Sequence, residues 1–297
     1  MFRDEGPYLA EWIRFHQAQG FSKFYLFDDK SSDDFREVLD PYIREGIVVL
    51  SSPPTVTADF HNQARQQVCF NIGLAMAKKE CDWVAIIDVD EFLFAPNGRL
   101  ADVLPKDRFV AGVFIPWRMF GSSGHEHPPE AGVLASYTKR ARIPATVKEM
   151  KAMKVMQSVF FGENVKRPIN GRLFNGKSIV RPRLMMRYGV HYPALFLGRL
   201  IDENGVTILL RNHRWFNGLR RGAIPRGEGL PTSEIIRINH YWSKSVSDMK
   251  SRSLRRPHGG SGVDDYVRWD AEVLNAIEDR EIFREFPSAG KQFQGNS

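Results

Sequence analysis

The chain has 297 residues, 42% of them hydrophobic and 26% charged, enough apolar material for one large domain or two small ones with a real core. Its formal net charge of +7 suits an anionic partner, such as a phosphorylated ligand or an acidic membrane surface. The two cysteines, Cys69 and Cys81, exclude a disulfide framework or zinc spacing and fit a reducing compartment, and no apolar run approaches the ~20 residues that span a bilayer.

The chain opens directly into a helix, so no leader is expected. Pro7–Gln19 reads as an amphipathic helix with Leu9, Trp12, Ile13 and His16 on one face and Gly20 as its stop. Phe21–Phe27 reads as a strand, 34–43 as a helix with Ser32 or Asp33 as N-cap, and Ile47–Leu50 as a short buried strand. Phe60–Lys79 has helical spacing, and Trp83–Ile87 is an apolar run of strand length. This helix–strand alternation predicts right-handed crossovers and a mainly parallel sheet.

Beyond Pro105 the rhythm changes. Strands are expected at Val110–Pro116, Val133–Thr138, Ile179–Met186 and Ile235–Asn239, with a loop-rich stretch from Gly198 to Pro231. A basic helix is expected over Ser243–Arg256 and a terminal one over Val263–Phe283. Met150, Met153 and Met156 recur at helical spacing, for which core packing is the simplest reason. The expected organisation is one domain over 1–245, with a nucleotide-binding half (1–105) and an acceptor-side half (106–245), followed by a helical tail over 246–297.

The most informative stretch is Trp83–Phe94, where a buried strand runs into Asp88, Asp90 and Glu91. Strand alternation would point Asp88 and Asp90 the same way. Two adjacent carboxylates repel unless a cation lies between them, which points to Mg²⁺ or Mn²⁺ bridging protein oxygens to a phosphate at the carboxyl edge of the sheet. The plain alternative is an acidic turn. Asp28-Asp29-Lys30-Ser31-Ser32-Asp33 closes a second such strand and could bond a nucleoside, or form a capped turn.

Five ordered segments carry a resemblance. They are Glu5-Gly6-Pro7-Tyr8-Leu9-Ala10-Glu11-Trp12-Ile13, Phe27–Asp33, Trp83–Leu93, Trp117-Arg118-Met119-Phe120-Gly121-Ser122-Ser123-Gly124-His125 and Asn239-His240-Tyr241-Trp242-Ser243-Lys244-Ser245. Together they resemble GT-A glycosyltransferases of the family-2 type, and more narrowly the family-92-like group. The resemblance implies an α/β fold of GT-A (Rossmann-like) type, a mainly parallel mixed sheet flanked by helices. It implies inverting transfer of a sugar from a nucleoside diphosphate donor, UDP foremost, to a hydroxyl of a glycan, lipid-linked or protein acceptor. It further implies Asp88 and Asp90 as ligands of Mn²⁺ or Mg²⁺, with His191 or His240 as an added ligand. Asp28, Asp29, Asp88 and Lys177 are implied at the nucleotide-sugar. The family pattern begins with a strand ahead of the Glu5 motif, so a first strand is expected to be missing.

An inverting displacement needs a general base. Glu126, after the Gly-Ser-Ser-Gly loop, is the first candidate, followed by Glu130 and more distantly Asp202. Each, taken singly, reads more readily as a surface acid. The resemblance also places Arg181 and Arg183, with Lys177, near the donor site, where cations could help hold a diphosphate. Lys244, Lys250, Arg252, Arg255 and Arg256 could gather diphosphate or membrane-surface charge, and any of these cations could instead form a solvated face. Two other classes compete: a Mg²⁺-dependent phosphoryl-transfer enzyme, which lacks its phosphate-cradling glycine loop here, and a catalytically inactive nucleotide- or glycan-binding relative. Nucleic acid is disfavoured, because no recognition motif accompanies the charge. The expected location is cytoplasmic, either soluble or peripheral at the inner face of a membrane.

Overall fold

The computed structural model describes residues 1–55, 62–142, 176–189, 193–210, 223–225, 233–255 and 263–285. Helix α1 (Gly6–Ala18) begins with Pro7 in its first turn and gives way to Gly20 at φ +96°, a conformation that glycine adopts without steric cost. It buries Leu9, Trp12, Ile13, Phe15 and His16 against Phe24 and Leu26 of β1 (Phe24–Phe27) and Phe92 and Phe94 of β4 (Glu91–Phe94). Each such apolar side chain contributes roughly 1.5–3 kcal/mol. Helix α2 (Phe35–Arg44) and strand β2 (Val48–Ser51) follow as expected, and β2 runs parallel to β1. The expected long helix appears as α3 (Asn62–Ala77), and a single turn of helix, α4 (Leu100–Val103), comes later in the chain.

The main sheet departs from expectation. Among the described residues it is an eight-stranded mixed sheet, and β1–β2 forms a separate two-stranded one. Its hub is β5 (Val110–Met119). One edge of β5 pairs antiparallel with β7 (Gly176–Val180), which in turn pairs antiparallel with β3 (Val84–Ile86). Its other edge pairs in parallel first with β10 (Arg199–Ile201) and then with β13 (Arg237–His240). β4 joins antiparallel to β13, and β11 (Thr207–Leu210) and β12 (Ala223–Pro225) extend the β10 side antiparallel. Only four residues separate β3 from β4, too few for a parallel crossover, which needs a dozen or more, and β4 pairs instead with the late strand β13.

Three further expectations are corrected. Val133–Thr138 is not a strand: Gly132–Ser136 is a short helix (α5). The Glu11 carboxylate on α1 accepts the amides of Val133 (2.7 Å) and Leu134 (3.0 Å), so a tertiary contact overrides the β-propensity of the segment. Ile179–Met186 divides into β7, a 3₁₀ turn at Pro182–Leu184, and β8 (Met185–Tyr188), which pairs with β9 (Pro193–Leu195). The C-terminal stretch is not a purely helical tail. After α6 (Val246–Arg255) and α7 (Val263–Trp269) comes a π turn, Asp270–Leu274. Strand β14 (Ile277–Glu278) then pairs with β6 (Lys139–Arg140), ahead of α8 (Glu281–Glu285). The break comes where the Asp270 carboxylate accepts the Ser122 amide (2.9 Å) and hydroxyl (2.5 Å) and Asn275 Oδ1 accepts the Ser123 amide (2.8 Å).

The expected missing strand has a one-residue counterpart. Phe2 forms a parallel bridge to Asp28: its amide donates to the Phe27 carbonyl (2.9 Å) and its carbonyl accepts the Asp29 amide (2.8 Å). Met150, Met153, Met156 and His191 lie outside the described residues. Among the described residues, no helix is long and apolar enough to cross a membrane.

Candidate active site

Strand β3 ends at Ile86, so Asp88 and Asp90 are not alternate residues of a strand. They occupy a tight turn closed by the Glu91 amide donating to the Asp88 carbonyl (3.1 Å). Glu91 pins the turn again, because its Oε2 accepts the Asp88 amide (2.9 Å). Glu91 opens β4 and is fully buried.

The two aspartates then diverge. Asp88 Oδ2 accepts from Lys177 Nζ (2.9 Å) and its Oδ1 from Gln66 Nε2 (2.9 Å). Lys177 comes from β7 and is completely buried, its ammonium 5.4 Å from the Phe70 ring centre. Burial pushes the Asp88 carboxyl up, but the Lys177 ammonium outweighs it and holds the group below the usual carboxylate range. Burial likewise opposes the Lys177 charge, and Asp88 and Glu91 more than offset it, raising the ammonium above its ordinary value. Arg65 and Gln66, adjacent on α3, tie the two acidic turns together: Gln66 holds Asp88 while Arg65 ion-pairs with the buried Asp29.

Asp90 faces the other way. Strand β13 sets His240 opposite Glu91 on β4, and the Tyr241 amide donates to the Asp90 carbonyl (2.8 Å). His240 Nε2 lies 3.5 Å from Asp90 Oδ1, and Arg252 Nη2 of α6 lies 3.5 Å from Oδ2. Burial raises the Asp90 carboxyl, and His240 and Arg252 reverse that, leaving it well below the usual range. Glu91 goes in the opposite direction. Burial raises it far above an ordinary glutamate, Lys177 opposes this only in part, and the Asp88 and Asp90 charges add to the rise.

One ligand atom from each of Asp90, Glu91 and His240 falls within 4.8 Å of the others. Glu91 Oε1 and His240 Nδ1 are buried without a hydrogen-bond partner, a costly arrangement that a further ligand would relieve. Lys177 Nζ is 3.9 Å from Glu91 Oε1, too far for a hydrogen bond. Two carboxylates and an imidazole are a donor set that fits Mn²⁺ or Mg²⁺. Of the expected metal pair, Asp90 joins this cluster, while Asp88 is engaged by Lys177 and Gln66.

Arg256 lies outside the described residues, and most of the other expected residues have definite places. Asp28 Oδ1 accepts the Ser31 amide (2.9 Å), making a capped turn, and Asp29 is ion-paired by Arg3 (2.9 Å) as well as Arg65. Glu126 and Glu130 are exposed. The Glu126 carbonyl accepts the Ser247 amide (2.9 Å) in the first turn of α6, and its carboxylate pairs with Lys250 (3.1 Å). Five residues of helix, about 7–8 Å of rise, therefore separate Ser247 from Arg252 at Asp90. Asp202 caps a turn, accepting the amides of Asn204 and Val206 (both 2.9 Å). Arg181 stacks on Trp83 at 4.2 Å. Lys244 is buried, ion-paired with Glu5 and 3.6 Å from the Tyr8 ring centre. The sequence reading missed Arg3, Arg65 and Gln66 as partners of the acidic turns, and it gave Arg252 no contact with Asp90. Each comes from a distant segment and carries no local signature.

A mixed α/β fold with a carboxylate–imidazole cluster at strand ends is the frame of a ligand-binding enzyme. A sequence model of glycosyltransferase family 92 matches residues 2–256, and the chain belongs to that family. Similar proteins include glycosyltransferase family 92 proteins of Ricinus communis (30% identical over 53% of this chain and 28% of the relative), Oryza sativa subsp. japonica (33% over 48% and 24%) and Arabidopsis thaliana (27% over 55% and 29%). The aligned part is thus less than a third of the length of these plant relatives.

Proposed function

We propose that the chain is a glycosyltransferase that moves a sugar, with inversion, from a nucleoside diphosphate donor, UDP foremost, to a hydroxyl of a glycan, lipid-linked or protein acceptor. The observation that carries this, beside family membership, is the convergence of Asp90, Glu91 and His240, with Glu91 Oε1 and His240 Nδ1 buried without a hydrogen-bond partner. These three residues would hold Mn²⁺ or Mg²⁺, with Asp88 fixed beside them by Lys177. When bound, such an ion supplies positive charge against the leaving diphosphate.

This chain's own residues do the rest. Asp28 meets the nucleoside, and Asp29, clamped by Arg3 and Arg65, holds the turn that presents it. As the acceptor oxygen attacks the anomeric carbon and the bond to the diphosphate breaks, the acceptor proton passes to a carboxylate. Glu126 is our choice for that base and Glu130 the alternative. Both stand on the exposed loop whose backbone is bonded to the first turn of α6. The test is release of UDP from a panel of UDP-sugars with Mn²⁺. We expect turnover that stops with EDTA and falls at least ~100-fold in Glu126→Gln. Turnover unchanged by EDTA would sink the metal assignment, and full activity in Glu126→Gln would pass the base role to Glu130.

A further inference from the structure

Four large apolar side chains stand out into solvent in one region: Phe109 (65% exposed), Met186 (67%), Phe196 (73%) and Leu197 (53%). The backbone binds their segments together. The amides of Phe196 and Leu197 both donate to the Leu184 carbonyl (2.9 and 3.4 Å), and the Arg199 amide donates to the Phe109 carbonyl (2.9 Å). Gly198 sits at φ +90°, and a Cβ there would lie 2.6 Å from the Phe109 carbonyl oxygen, so only glycine lets these two turns meet so closely. Met186 is the extra residue where the β8–β9 register shifts between Met185 and Arg187, and a bulge of this kind re-aims a side chain.

The surroundings are cationic. Lys106, Arg108, Arg183 and Arg187 are exposed, and no acidic residue occurs from Gly176 to Arg199. Asp107, the acid of the neighbouring turn, is matched by Arg199 at 2.8 Å. Apolar side chains raised on turns and a bulge and flanked by arginines match the two layers of a membrane surface, headgroup charge outside and acyl chain beneath.

We infer that this face, built from the 106–109 turn, the β8 bulge and Phe196–Leu197, docks the protein on an anionic lipid bilayer. Phe109, Phe196, Leu197 and Met186 enter the interface, and Lys106, Arg108, Arg183 and Arg187 meet the headgroups. The surface is separate from the Asp90 cluster, so its test is independent of donor and metal.

The full chain is sedimented with vesicles of phosphatidylcholine alone, and with vesicles containing roughly one-quarter phosphatidylserine. Two variants are compared, Phe196→Ser/Leu197→Ser and Arg108→Gln/Arg187→Gln, after thermal unfolding shows that both fold like wild type. Wild type should bind the anionic vesicles, more weakly at about 0.5 M salt than at about 0.1 M. The apolar double variant should lose at least about tenfold in partitioning. The charge variant should lose roughly 25-fold, about fivefold per cation. Equal binding to both vesicle types, binding to neither, or variants that bind like wild type would overturn the inference. So would a concentration-dependent dimer that the apolar variant dissolves, which would make the face a contact between two copies.

Discussion

Lys177 is the residue on which the acidic turn rests. Its ammonium is fully buried between Asp88 and Glu91, and removing one partner from a buried set of charges leaves the others uncompensated. Lys177→Met should therefore cost about 3–5 kcal/mol in a denaturant melt, whereas an unchanged midpoint would show that Asp88 and Glu91 find other compensation. Lys177 was legible in the sequence only as a cation that the family resemblance places near the donor. Its partner Asp88 lies 89 residues away, and spacing rules do not reach that far. Asp88, Asp90 and Glu91 were legible because a short apolar run ending in clustered acids is a local pattern. That Glu91 and His240 would converge on Asp90 depended on β13 pairing with β4, which no local pattern records.

Helix α1 illustrates what an element can hide. Its apolar face was readable from spacing, but two polar residues on it do tertiary work. Glu11 caps the α5 amides, a contact without which the Val133–Thr138 sequence reads as a strand. His16 is buried, with Nδ1–H donating to the Trp12 carbonyl (2.8 Å) and Nε2 accepting the Leu93 amide (3.1 Å). Burial pushes this imidazole down to about 3, against a partial counter-effect from the Trp12 carbonyl. The unfolded chain takes up the proton near its ordinary value of about 6.5 while the native imidazole stays neutral, so the unfolded state binds more protons in between. Stability must then rise with pH across that window and fall as the pH drops toward 3, with a slope of up to roughly 1.4 kcal/mol per unit. His16→Gln removes this contribution. The unfolding free energies of wild type and variant should converge as the pH falls from about 7 to about 4, and parallel curves would contradict the burial argument. The spacing over Val263–Phe283 suggests one helix, and the structure breaks it for a similar reason, because Asp270 and Asn275 are recruited by the Ser122–Ser123 loop far away in sequence.

At the scale of the whole molecule, the sequence disclosed an α/β chain and most early elements, but not how the strands assemble. Early alternation of helix and strand implied a mainly parallel sheet, yet β3 finds its neighbour in β7, from the second half of the chain. That late strand carries Lys177 to Asp88, and β13 carries His240 to Glu91. The mixed topology therefore builds the site, by setting residues from the second half beside the acidic turn of the first. The central claim is that this assembled site binds a nucleoside diphosphate through a divalent ion. Calorimetric titration of UDP into wild type and Asp90→Asn, each with and without Mn²⁺, tests it most directly. The account predicts UDP binding by wild type that requires Mn²⁺ and is lost in the folded variant. Binding of equal strength without Mn²⁺, or undiminished in Asp90→Asn, would contradict it.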